Sequence, residues 1–346
     1  YRQSLFGYNS LKWDKRIEPV RYQEAKKNYV ETLELVSANA INKFFALATA
    51  QSNYDIASFN YANADTLYRY AQGRYNIGTI TENEMLQLEL NRLTEETNRM
   101  NARIEMDNCM QELRSYLGIQ EEREIRVRVS SRIPNFSINL NEALALAYEN
   151  SPDIQTMKRR KLESESAVAR ARANAGLKAD IYLRFGLTQT ADKLPEAYRN
   201  LLDQQYVSLS ISLPILDWGR GKGQVRVARS NRDLVYTQVE QSRTDFELNV
   251  RKLVKQFNLQ TQRVRIAART DETAQRRNEV ARKLYILGKS TILDLNASIS
   301  EKDSARRNYV SALYNYWSLY YTLRSMTLYD FESNKLLTED YNLLIE

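Results

Sequence analysis

Two long stretches of this chain place apolar and small residues at seven-residue intervals. From about Asp14 to Gly73, Leu47, Tyr54, Tyr61, Tyr68 and Tyr75 share one row, and Ala50, Ala57, Ala64 and Ala71 share the next. A seven-residue period predicts a helix that supercoils left-handedly with a neighbour. The tyrosine row reads as the seam, and the alanine row lets another backbone come close. Pro19 falls early enough to be read as part of a first turn. The second stretch, about Gly223 to Leu287, carries Val239, Phe246 and Leu253, with Ala267, Ala274 and Ala281 continuing the register after Gln260. Shorter helical patterns cover Glu82 to Leu117 (Leu86, Leu93 and Met100 in register), Asn139 to about Ala175 with a turn at Ser151 and Pro152, and Ile292 to about Leu328.

Elsewhere the period drops to two. Residues 124–129 alternate and read as one short half-buried strand, and residues 1–9 read as the end of another. Residues 179–188 and 206–214 form the cleanest pair. In the second, Val207, Leu209, Ile211 and Leu213 take one face while Ser208, Ser210 and Ser212 take the other. Such alternation suits a sheet on a soluble core, and equally a membrane strand with lipid outside and water inside. Taken alone, the pattern favours the soluble sheet. The polar loop 189–204, with Pro195, shows no element of its own.

The two long helical stretches end in matching turns. Tyr75, Gly78 and Thr81 in the first correspond to Tyr285, Gly288 and Thr291 in the second, all at one common separation. Glycine closes a helix because it takes the left-handed conformation without penalty, and a threonine three residues on can cap the next helix. The chain is therefore a tandem repeat whose copies each contain a helix-turn-helix tip. The second copy reads helix, two strands, long helix, tip, helix. In the first copy nothing corresponds to residues 139 to about 205, so the expectation is a first repeat truncated by roughly 70 residues before residue 1.

Composition narrows the classes. Ten glycines and five prolines in 346 residues suit long uninterrupted helices rather than a loop-rich or sandwich fold. There is no histidine, which removes histidine metal sites, serine–histidine and cysteine–histidine catalysis, and the commonest general base. The single Cys109 lies mid-helix and reads as a packing residue. The net charge of +7 is scattered among acidic residues, so it reads as a solvated helix surface rather than a nucleic-acid interface. No run of about 18 apolar residues exists, and no signal peptide is visible at residue 1. The 23 tyrosines suit half-wet surfaces such as bundle exteriors and membrane girdles.

Four features together resemble the TolC-like outer-membrane efflux protein family over essentially the whole chain. They are the strand-to-helix junction 208–220 with residues 225–228 after it, the two tip motifs 75–81 and 285–294, the opening of the second repeat at 139–153, and the duplication itself. The resemblance implies a mainly α fold with a small β part. Long coiled-coil helices of three chains would form a trimeric α-barrel, and four strands from each would complete a shared 12-stranded transmembrane β-barrel. It implies barrel strands in 1–9 and 179–214, periplasmic helices in 10–118, 139–178 and 215–328, and an equatorial belt in 119–138 and 329–346. Ser208, Ser210 and Ser212 would face the lumen, overturning the soluble reading of their strand.

By the same resemblance Tyr285 falls on the gate tyrosine, Glu84 on its acidic partner from the neighbouring hairpin, and Asp294 on the first aspartate of a pore-lining ring. Gly78, Thr79, Thr81, Gly288, Lys289 and Thr291 would meet the adaptor. Two positions depart from the family pattern: Ser290 stands where it has a tip arginine, and Ala297 where it has a second ring aspartate. The expected function is a passive exit duct of a tripartite efflux pump or type I secretion system, gated at its periplasmic tips. It is not an enzyme and needs no cofactor or metal. Its partners would be two further copies of itself, a periplasmic adaptor (membrane fusion) protein, an inner-membrane transporter reached through it, and outer-membrane lipid, with no nucleic acid. The expected location is the outer membrane of a Gram-negative bacterium, with a large periplasmic part. The alternative is a soluble coiled-coil scaffold or adaptor protein.

Overall fold

A computed structural model describes residues 1–120, 124–130, 133–190 and 201–337. The elements run β1 (Arg2–Ser4), α1 (Ser10–Asn76), α2 (Glu82–Tyr116), α3 (Leu140–Asn150), α4 (Pro152–Ala175), β2 (Lys178–Thr188), β3 (Leu202–Ser212), α5 (Arg220–Ile286), α6 (Ile292–Thr327), β4 (Tyr329–Asp330) and β5 (Lys335–Leu336). They fall into two compact units, Tyr1–Tyr29 with Tyr148–Asn249, and Val30–Ala147 with Val250–Glu346. The first helix begins at Ser10, so Pro19 lies inside it rather than in its first turn.

In the first unit β1, β2 and β3 form an antiparallel sheet in that order. Residues 1–9, read as the end of a strand, contribute β1, which pairs with β2, Gln3 opposite Ile181 and Ser4 opposite Asp180. The β2–β3 register sets Lys178 opposite Ser212, Asp180 opposite Ser210 and Tyr182 opposite Ser208, so these six side chains share one polar face. Ala179, Ile181 and Leu183 lie opposite Ile211, Leu209 and Val207 on the other face. That face is open: Val207, Leu209 and Ile211, with Phe185 and Leu187 beyond them, are all exposed.

The helices of this unit are held by an ion cluster. Arg159 Nε and Nη2 donate to Glu24 Oε2 at 2.5 Å and Oε1 at 3.0 Å, and Thr156 adds a bond to Oε1 at 2.8 Å. The second guanidinium edge of Arg159 reaches Glu163, which also accepts from Arg21. The Arg159 bond holds the Glu24 carboxyl below its ordinary value of 4.5, against the opposing effect of burial.

The junction after β3 is a local device. Asp217 accepts from the Gly219 and Gly221 amides at 2.9 and 2.8 Å, closing the first turn of α5. Trp218 and Gly219 both take left-handed backbone, φ +52 and +79. The conformation costs a residue with a Cβ about 1–2 kcal/mol, so Trp218 is held there by its neighbours.

In the second unit the heptad rows exchange roles. Ala57, Ala64 and Ala71 are buried, so the alanine row is the seam. The tyrosines lie half-buried beside it, each covered by an arginine of α2: Tyr54 by Arg103, Tyr61 by Arg99 and Tyr68 by Arg92, with 5.5, 4.1 and 5.7 Å from guanidinium carbon to ring centroid. In α5 the expected row is buried at Val239, Phe246 and Gln260, but in the second unit a row three residues before it takes over the interior. Val250, Phe257, Val264, Asp271 and Asn278 repeat every seven residues and are all buried, whereas Leu253 and the Ala267–Ala281 row are half-buried. Larger side chains at the former positions fill the interhelical space, and the alanines flank them.

Residues 124–129 form no strand. They run extended along α1 with Ile125 and Val127 packed against the cluster of Leu47, Ala50, Met106 and Leu113. The side-chain amide of Gln51 stands in for the missing partner strand, accepting from Val127 N at 3.2 Å and donating to Ile125 O at 3.5 Å. The alternation holds, because one face is half-buried, but among the described residues no strand pairs with it. Residues 133–138 continue onto α5 and α6. Asn258 makes two bonds to the Ile138 backbone, both at 2.9 Å, and Phe136 stacks against Phe257 and Tyr320. The β4–β5 hairpin closes on the same aromatic group through a bond from the Tyr320 hydroxyl to Asp330. No helix among the described residues is long and apolar enough to cross a membrane.

The Glu24 cluster makes stability dependent on acid. A carboxyl whose pKa is lowered by folding stabilises the fold above its unfolded value and loses that contribution as pH falls through the folded one. Glu24→Ala should cost about 2 kcal/mol at pH 7, below the 3–5 kcal/mol of a fully buried pair because Arg159 is partly solvated. The gap between wild type and variant in thermal unfolding should close as pH drops well below 4.5. An equal gap at pH 3 would show that packing, not charge, is what the substitution removes.

Candidate functional site at the helix tips

Each tip is a closed circuit of hydrogen bonds. At the first, Gly78 sits at φ +74, its amide bonds to Tyr75 O at 2.8 Å, and the Thr79 amide bonds to Arg74 O at 2.9 Å. At the second, Gly288 sits at φ +69, with Gly288 N to Tyr285 O at 3.0 Å and Lys289 N to Leu284 O at 2.9 Å. Both are complete Schellman motifs. A Cβ at either glycine would meet nothing within 4 Å, so backbone conformation and not crowding demands glycine.

The following helices open with capping boxes. Thr81 Oγ1 accepts from Glu84 N at 3.3 Å, while Glu84 Oε2 accepts from Thr81 N at 2.9 Å. Thr291 Oγ1 accepts from Asp294 N at 3.2 Å, while Asp294 Oδ2 accepts from Thr291 N at 3.2 Å and Thr291 Oγ1 at 2.7 Å. Ser290 donates to the same oxygen at 3.2 Å. These bonds, the Thr291 hydroxyl first, hold the Asp294 carboxyl below the usual range. Both carboxylates assigned to the gate thus serve their own helix N-termini within the chain. Sequence reasoning used the threonines as caps but passed over their reciprocal partners. The signal was present as Thr-x-x-Glu at 81–84 and Thr-x-x-Asp at 291–294.

Tyr285 and Glu84 line one common polar groove of about 540 Å³, with Tyr70, Arg74, Asn91 and Asn296. Tyr285 is half-buried, and burial pushes its hydroxyl pKa up, with Arg74 opposing and Glu84 reinforcing. On its other side Tyr285 walls an apolar cavity of about 170 Å³ with Leu67, Ile286, Leu295 and Ile299. Below that cavity Asn278 donates to Ser298 Oγ at 3.0 Å, and Ser298 donates to Leu295 O at 2.7 Å. This buried polar chain was not anticipated; the row of period seven that begins at Val250 leads to it. Asp294, Lys289 and Ala297 are exposed, and so are Thr79, Thr81, Gly78, Gly288 and Thr291. Among the described residues no group of acidic or sulfur ligands could hold a metal ion.

The fold is that of outer-membrane channels. The structure superposes on the CmeC outer membrane channel of Campylobacter jejuni with a TM-score of 0.77 and 16% identity, covering 99% of this chain and 72% of that one. The outer-membrane channel OprN gives 0.73 at 18% identity, with 94% and 73% covered. The outer membrane protein VceC of Vibrio cholerae gives 0.72 at 16% identity, with 94% and 77% covered. The family model for outer membrane efflux proteins matches residues 143–327, more than half of the chain, and the chain belongs to that family. Family and fold are those of channel proteins, not enzymes, and they imply placement in the outer membrane. No protein of curated function matches the sequence.

Thr291→Ala removes the acceptor for the Asp294 amide and the hydroxyl donor to its carboxylate. It should cost about 1 kcal/mol locally, the usual value of an N-cap. Hydrogen exchange at the amides of Leu293 to Leu295 should then quicken by about fivefold. Unchanged exchange would mean that the tip is held by contacts other than its capping box.

Proposed function

We propose that this chain is a passive exit duct of a tripartite efflux pump or a type I secretion system, working as a homotrimer. The observation that carries the reading is the β2–β3 sheet, whose serine face is polar and whose Val207, Leu209 and Ile211 face is apolar and uncovered. An exposed apolar face of this kind is a liability in water and an ordinary feature of a strand against lipid. It speaks against the soluble coiled-coil scaffold. In this reading residues 1–9 and 179–214 contribute to a shared barrel, with Ser208, Ser210 and Ser212 toward the lumen. Residues 10–118, 139–178 and 215–328 supply the periplasmic helices, and 119–138 with 329–346 the belt. The packing of Ile125 and Val127 on α1, of Ile138 on Asn258 of α5 and of the β4–β5 hairpin on Tyr320 of α6 supports the last assignment.

The tips are the gate in this reading. Three Asp294 carboxylates around a trimer axis repel one another and attract cations, giving selectivity without chemistry. Tyr285 lines the same groove as Glu84, and opening would separate the two. Gly78, Thr79, Thr81, Gly288, Lys289 and Thr291, the exposed rim of both turns, would receive a periplasmic adaptor coupled to an inner-membrane transporter. With Ser290 and Ala297 at the departing positions, the gate carries fewer charges than the family pattern.

Asp294→Asn keeps an oxygen for the cap and drops the charge, so it isolates the ring from the helix N-terminus. Block by multivalent cations in planar-bilayer recordings should weaken in the variant; unchanged block sinks the ring assignment. Tyr285→Phe should raise permeability to bulky antibiotics in cells that depend on this channel, and unaltered permeability would count against the gate. A trimer that persists without detergent or lipid would favour the scaffold instead.

A further inference from the structure

Among the described residues the most exposed large apolar side chains lie neither on the strands nor at the tips. They are Trp218 at 94%, Ile215 at 88% and Leu216 at 79% exposure, consecutive but for Asp217, in the turn that leads from β3 into α5. Trp218 is also one of three non-glycine residues with positive φ among the described residues, and the bulkiest of them. The Asp217 bonds to the Gly219 and Gly221 amides hold the turn, so the ring is presented by a fixed backbone rather than a loose loop. Beyond it the start of α5 is basic. Lys222, Arg226 and Arg229 recur at i, i+4 and i+7, all exposed, and from Leu213 to Arg232 Asp217 is the sole carboxylate, already engaged with the turn's own amides.

We propose that residues 215–218 form an interfacial anchor seated in a lipid bilayer surface, with Lys222, Arg226 and Arg229 against the phosphates of the headgroups. Three things single out lipid as the occupant. The patch is continuous in sequence with the apolar face of β3, which ends at Ser212. A tryptophan, apolar in body with one N–H, suits the boundary where one side is hydrocarbon and the other wet. The neighbouring cations match anionic headgroups in sign. The anchor rests on the reading of β2 and β3 as membrane strands, and it adds that residues 215–218, counted above with the periplasmic helices, sit in the headgroup layer at its edge. A strained tryptophan at Trp218 then has a reason, since glycine would fit the backbone better but leave the boundary unmarked.

The test uses the full chain reconstituted in phosphatidylethanolamine–phosphatidylglycerol vesicles, with Trp13→Phe and Trp317→Phe so that Trp218 alone emits. Lipids brominated near the headgroup end of the acyl chain should quench most of its emission, and lipids brominated near the methyl end much less. If the paired substitutions impair folding, the difference between wild type and Trp218→Phe under the same quenchers reports the same ring. A blue-shifted emission that no brominated lipid quenches would overturn the anchor and place the ring against another copy of the chain. Leu209→Trp in a background of Trp13→Phe, Trp317→Phe and Trp218→Phe separates this from the underlying reading. Quenching there without quenching at Trp218 overturns the anchor and leaves the membrane strands standing; quenching at neither overturns both. Trp218→Gly relieves the backbone, so it should fold at least as well as wild type while binding the same vesicles more weakly. Undiminished vesicle binding by a folded Trp218→Gly protein would also overturn the proposal.

Discussion

The register of α5 against α6 is the constraint on which the second tip depends. Two helices packed through valine and phenylalanine alone could slide by a turn at modest cost, because apolar contacts are not directional. Three buried polar side chains on α5 prevent that. Gln260 donates to Ala312 O at 3.0 Å, Asp271 accepts from Arg306 at 3.1 Å, and Asn278 donates to Ser298 at 3.0 Å. A slip of one turn would leave each of these groups buried without its partner, a penalty of about 1–3 kcal/mol apiece and more for the carboxylate. The last of them lies beside the cavity that Tyr285 walls, so the tip's geometry is set from within the coil.

Given that register, the tips are economical in their use of charge. The same carboxylates that a pore would use as fixed charges complete the backbone hydrogen bonding of α2 and α6. If the tips are the gate proposed above, this double use lets few ionic groups serve both purposes. A carboxylate tied to its own N-cap is held in place by those bonds, which also lower its pKa. Ser290 contributes to that cap rather than to a bridge of its own.

The sheet presents the opposite situation, since its apolar side chains find little cover among the described residues. Its β2–β3 ladder is complete, its two faces are sorted by polarity, and neither β3 nor the turn after it buries its apolar side chains. Environment, not internal packing, must satisfy those surfaces. The helices, by contrast, hold buried seams, aromatic clusters and paired ions of their own.

Much of this was legible in the amino-acid order because its causes are local. Helix and strand periods, the glycine turns and the threonine caps depend on residues within a few positions of one another, and apart from the strand read at 124–129 the structure has them. Element ends moved by several residues, as with α1 reaching back to Ser10, because N-terminal residues can join a helix once packing supports it. What sequence could not decide was partnership. The row of Tyr54, Tyr61 and Tyr68 reads as a seam until α2 brings Arg103, Arg99 and Arg92 over the rings and the alanines take the interior. The alternation at 124–129 reads as a strand until Gln51, distant along the chain, takes up its backbone groups. Periodicity states which residues share a face; only the tertiary structure states what lies against it, because a face is buried by whatever the rest of the chain brings there.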